Sequence, residues 1–118
     1  MFAADRSNVQ LANRFDAISP PFLRALTFIV DKARTAGKPV TLCGELASQP
    51  IGALALIALG YRSMSLSASS VGPVKAMLLD LDAAKATALM QPLLDGAAHK
   101  EKVRDKLETF AAAEGLQL

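Results

Sequence analysis

The sequence predicts an α/β fold with parallel strands: the last two strand–helix units of a larger barrel, followed by a helical tail. Three observations predict it. Helical and strand patterns alternate through the first 80 residues. The segment joining the two strands is almost wholly apolar, so it needs cover on every side. Finally, only two strand patterns are present, whereas a parallel sheet normally has several neighbours and both faces covered.

Each element follows from local chemistry. Residues 1–15 start abruptly: Phe2-Ala3-Ala4 leads straight into Asp5-Arg6-Ser7-Asn8, as in the middle of a chain. Ser19-Pro20-Pro21 is a helix entry, with serine as cap and proline in the first turn. Phe22, Leu23, Leu26, Ile29, Val30 and Ala33 recur at helical spacing, and Gly37 ends that helix. Residues 38–43 read as a buried strand with Pro39 near its start. Gln49-Pro50 opens a buried helix over 51–59, closed by Gly60. Residues 63–67 alternate polar and apolar, as a short strand does. Ser69 or Ser70 is expected to cap a helix over 71–79, and Asp82 one over 83–90. Pro92 is expected to interrupt, Asp95-Gly96 to turn, and a last helix to occupy 97–113. The chain thus divides into residues 1–80, carrying the strand–helix units, and a helical tail over 81–118.

Bulk properties narrow the function. The chain has 118 residues, 52% hydrophobic and 20% charged, enough for one packed domain and not a disordered one. A net charge of +2 with scattered Lys and Arg argues against a nucleic-acid or membrane surface. The mixed run His99-Lys100-Glu101-Lys102-Val103-Arg104-Asp105-Lys106 reads as a solvated helix face. No signal pattern opens the chain, and 51–59 is too short to span a bilayer. With one unpaired cysteine, these features fit a cytoplasmic protein.

Cys43 carries the chemistry. It stands where a strand ends, followed by Gly44-Glu45, and the C-terminal ends of strands are where α/β barrels place reactive groups. A thiol there can serve as nucleophile, metal ligand or acid/base. As the only cysteine it has no disulfide partner in the chain. The competing reading is a small buried hydrophobe, the commoner fate of a lone cysteine.

Three runs are distinctive together: Leu42-Cys43-Gly44-Glu45-Leu46-Ala47 with Pro50, Leu59-Gly60-Tyr61-Arg62-Ser63-Met64-Ser65-Leu66, and Val71-Gly72-Pro73-Val74-Lys75. They resemble the C-terminal end of Enzyme I, the phosphoenolpyruvate–protein phosphotransferase of the bacterial phosphotransferase system. Ala4-Asp5-Arg6-Ser7-Asn8 resembles a family stretch at the matching distance upstream, and Gly60-Tyr61-Arg62 is more similar to the nitrogen-regulatory branch than to the sugar branch. The resemblance implies that the chain is the C-terminal portion of a (β/α)8 TIM barrel that binds phosphoenolpyruvate. Cys43 would then be the catalytic thiol that protonates C3 of the enolate and, in reverse, takes a proton from pyruvate. Arg6 would grip the substrate, a role suited to a guanidinium fork.

The same resemblance implies a Mg²⁺ cofactor, an HPr-like phosphocarrier protein as partner, and a homodimer. It also places the metal-binding glutamate and aspartate, and the phosphoacceptor histidine, upstream of Met1. The fragment alone would then be inactive. His99, the only histidine, does not match the phosphoacceptor. Two alternatives stay open at this point: the end of a pyruvate phosphate dikinase or phosphoenolpyruvate synthase relative, and a non-catalytic dimerisation module.

Plain structural roles stand beside these readings. Arg6 can be a surface arginine. Glu45 is expected to anchor the strand–helix turn through backbone amides. Ser63, Ser65 and Ser67 are expected to be structural, and Met64 and Leu66 to be core. Val71-Gly72-Pro73 is a poor phosphate cradle, because its glycine is single and its proline lacks an amide donor.

Overall fold

In the computed structural model, the described residues are 16–95 and 103–118. They form eight elements: α1 (Pro20–Thr35), β1 (Leu42–Cys43), α2 (Glu45–Ser48), α3 (Pro50–Leu59), β2 (Met64–Ser65), α4 (Ala68–Leu79), α5 (Ala83–Leu94) and α6 (Val103–Glu114). β1 and β2 pair in parallel, with Leu42 opposite Met64 and Cys43 opposite Ser65. Parallel pairing requires a crossover, and α2 and α3 supply it. The expected α/β character therefore holds, in a mostly helical domain whose described sheet has two strands.

The strands are shorter than the 38–43 and 63–67 that the sequence suggests. Val40 and Leu66 pack against the core, but only the central rungs pair. Pro39 has no N–H to offer a ladder.

α3 is the centre of the molecule, as its composition requires. Every residue from Ile51 to Leu59 is buried. α1, α2, α4, α5 and α6 all pack on it, and one apolar cluster runs from Ile18 to Leu116. Gly52 lets α2 lie against α3: a Cβ there would fall onto the Leu46 carbonyl. Gly60 ends α3 in the left-handed region (φ 105°), where its N–H bonds to the Ile57 oxygen at 3.0 Å. Arg62 then reaches back, donating from Nη1 to the Ile57 and Tyr61 carbonyls at 3.0 and 2.8 Å. A cation among the last carbonyls of a helix is favourable.

Four local expectations change. α1 buries Leu23, Leu26 and Val30, but Ile29 of the expected stripe is 49% exposed. Ser19 holds the cap position of α1 through its carbonyl, which accepts from Leu23 N–H at 3.0 Å, and its side chain makes no capping bond. α4 starts at Ala68 after Ser67, so Ser69 and Ser70 lie in its first turn and Pro73 inside it. α5 continues through Pro92 to Leu94, because Leu93 and Leu94 are buried and hold the last turn in place. Asp82 caps α5 as expected, its Oδ1 accepting from Ala84 N at 2.9 Å and Lys85 N at 3.2 Å. The expected helix over 97–113 is described from Val103 to Glu114; its first residues lie outside the described range.

Candidate active site at the strand ends

The site is built where two parallel strands end side by side. Cys43 is the last residue of β1 and is exposed. Exposure corrects the buried-hydrophobe alternative: the sulfur is open to a reactant. Gly44 follows with φ 133° and ψ 179°, a conformation that side chains rarely adopt. Nothing lies within 4 Å of where its Cβ would be, so the requirement for glycine is conformational and not spatial. That bend turns the chain directly into the single-turn helix α2, where the sequence suggests only a turn.

Glu45 does not anchor this turn. Its side chain is exposed and makes no hydrogen bond among the described residues. The backbone closes the turn instead, with Ala47 N–H bonding to the Gly44 oxygen at 3.2 Å.

The loop after β2 meets the loop after β1. Ser67 N–H approaches Ser48 Oγ at 3.5 Å, and Ser67 Oγ lies 2.8 Å from Ser70 Oγ and 3.3 Å from Ser69 Oγ. At the other end of the strands, Thr41 Oγ1 and Ser63 Oγ are 2.8 Å apart. Ser63, Ser65 and Ser67 are therefore an exposed hydroxyl row beside the thiol, while Met64 and Leu66 pack against the core as expected. The run of serines over 63–70 was the sequence signal for this row. What sequence could not supply was the register that sets Ser65 opposite Cys43. Gly72 and Pro73 lie inside α4 and form no loop around a ligand.

Arg6 and His99 lie outside the described residues. Among the described residues, no group of three or more His, Cys, Asp or Glu could hold a metal ion. A hard divalent cation prefers several oxygen ligands, and Glu45 is the one carboxylate adjoining Cys43 in sequence, so the site as described does not fit Mg²⁺. No helix among the described residues is long and apolar enough to cross a membrane.

A thiol displayed by a sharp turn at the C-terminal end of a parallel strand defines a class: α/β proteins that work at their strand ends. Comparison with known proteins narrows it. The PEP-utilising enzyme, PEP-binding domain family matches residues 1–83, and the chain belongs to that family. It is 37% identical over 116 residues to the phosphoenolpyruvate-dependent phosphotransferase system protein of Escherichia coli (strain K12), covering 98% of this chain and 15% of that protein. It is 35% identical over 111 residues to the phosphoenolpyruvate-protein phosphotransferase of Geobacillus stearothermophilus, covering 94% of this chain and 19% of that protein. The Bacillus subtilis (strain 168) protein of the same name is 32% identical over 108 residues, covering 92% and 19%. The chain thus spans less than a fifth of the length of each of these relatives.

Proposed function

We propose that this chain is the C-terminal part of a phosphoenolpyruvate–protein phosphotransferase, an Enzyme I that transfers phosphoryl from phosphoenolpyruvate to a protein histidine and releases pyruvate. The observation that carries the reading is the exposed Cys43 at a parallel strand end, in a chain whose matched relatives bear that activity in their names.

The chemistry follows from the thiol. Departure of the phosphoryl group leaves the enolate of pyruvate, which needs a proton at its methylene carbon. Cys43 supplies it from one face of the site, and in the reverse direction the thiolate takes a proton from the pyruvate methyl group. A thiol is a competent proton donor near neutral pH. Arg6, through its guanidinium fork, binds the substrate's carboxylate or phosphate.

The finer architecture belongs to the same proposal. β1 and β2 are the last two strands of a (β/α)8 barrel, each followed by its helix. Residues 1–80 supply these units and 81–118 the helical tail. The family match ending at residue 83 supports that division. Metal ligands for Mg²⁺ belong to chain outside these residues, so the fragment alone is inactive. An HPr-like phosphocarrier, a homodimer and a cytoplasmic location complete the reading.

The test is Cys43→Ala in the complete protein. Exchange of pyruvate methyl protons with solvent should fall at least about a hundredfold, the scale of lost general acid–base catalysis. Phosphohistidine formation from phosphoenolpyruvate should fall far less. Equal slowing of both steps removes the proton-donor assignment.

A further inference from the structure

The paired rungs of the sheet are Leu42 with Met64 and Cys43 with Ser65. A parallel ladder that short gives register little support of its own. The chain just before it is held at two points. Leu42 N–H donates to the Ser63 carbonyl at 3.1 Å, and the hydroxyl oxygens of Thr41 and Ser63 are 2.8 Å apart.

Side chains alternate along a strand, so Thr41 lies on the same side as Cys43, and Ser63 on the same side as Ser65. All four are exposed, while Val40, Leu42, Met64 and Leu66 pack against the core. The hydroxyl bridge is therefore on the face that carries the thiol, about 6.6 Å back along the strand. Beyond Cys43 the chain leaves the sheet at the Gly44 bend. The thiol thus stands at the end of the ladder, supported from the Thr41 side and by the seat of α2 on Gly52.

We propose that Thr41 and Ser63 are positioning residues for Cys43: their hydroxyl bridge locks the register of β1 on β2 and so fixes where the thiol stands. The bearing on the reaction rests on the assignment of Cys43 as proton donor to the enolate; the lock on the strands does not. Proton transfer is steep in distance, so a loosened strand end slows it before it disturbs the rest of the site. Ser67 bonds to Ser69 and Ser70 at the start of α4 and does not reach β1 through these contacts.

The experiment uses the complete protein. Thr41→Val keeps the β-branched shape that suits a strand and removes the hydroxyl. It should slow exchange of pyruvate methyl protons about fivefold, the scale of one net hydrogen bond. Ser63→Ala should slow it as much, and the double variant no further, because each removes the same interaction. Thr41→Ser, which keeps the hydroxyl, should behave like the parent. Phosphohistidine formation should be unchanged throughout, as should alkylation of the exposed Cys43 by iodoacetamide, read on the Cys43 peptide by mass spectrometry. Residue-resolved amide hydrogen exchange reads the lock without the reaction: the Leu42 amide should exchange about fivefold faster in Thr41→Val. Methyl-proton exchange unchanged in both single variants, additive slowing in the double, or Thr41→Ser as slow as Thr41→Val overturns the proposal. An unchanged Leu42 amide does the same. Retained methyl-proton exchange in Cys43→Ala would sink the proton-donor reading while leaving the Leu42 amide result standing.

Discussion

Tyr61 shows how one side chain ties the scaffold beneath the site. It is 1% exposed, and its hydroxyl donates to the Leu26 carbonyl at 2.8 Å, joining the chain just before β2 to α1. Burial raises its pKa above the usual 10.0. The sign follows from linkage: the unfolded chain ionises near the ordinary value while the folded one keeps its proton. This contribution is fully present below about pH 10 and is lost as pH rises through the folded value. Tyr61→Phe should cost about 1 kcal/mol in urea unfolding at neutral pH and should reduce the alkaline loss of stability. As the only tyrosine, Tyr61 can be followed directly by phenolate absorbance. At this scale Cys43 was legible, because a strand pattern followed by glycine fixes where the thiol sits. Glu45 was not, because whether a carboxylate finds an amide depends on how the turn closes. Nor was Ile29, where helical spacing marks a stripe but not its width.

At the scale of elements, Asp82 is the expected side-chain cap that the structure contains, whereas Ser19 makes no side-chain cap and α4 begins before Ser69 and Ser70. Asp82 was recognisable because an aspartate before a helical pattern offers its carboxylate to orphan amides. Asp82→Ala should destabilise the fold by about 1 kcal/mol in urea titration, without altering Cys43 alkylation. Pro92 misled. It suggested a boundary, yet it lies inside α5, as Pro73 lies inside α4. Proline in a helix interior costs roughly 3 kcal/mol, and burial of Val74 and Met77 in α4, and of Leu93 and Leu94 in α5, offsets it. Apolar burial of this kind is a tertiary fact that local pattern does not contain. The short helix α2 escaped for a related reason: its single turn depends on the Gly44 bend and on a close fit against Gly52.

On the scale of the whole molecule, α3 organises everything. The sequence showed that this segment had to be covered; the fold shows that α1, α2, α4, α5 and α6 cover it. The tail is packed into the same core through Leu107, Ala111 and Leu116. Two ion pairs secure α6 to distant chain, Arg104 with Asp16 at 2.9 Å and Lys85 with Glu114 at 2.7 Å. What sequence could not supply was strand number and closure, which are settled by neighbours. The function proposed above places phosphoenolpyruvate over the ends of β1 and β2, with Cys43 at its methylene carbon. The most direct measurement is alkylation of Cys43 in the complete protein, with and without phosphoenolpyruvate and Mg²⁺, followed on the Cys43 peptide. The account predicts strong protection by the substrate. Alkylation of Cys43 at the same rate with saturating phosphoenolpyruvate would contradict it.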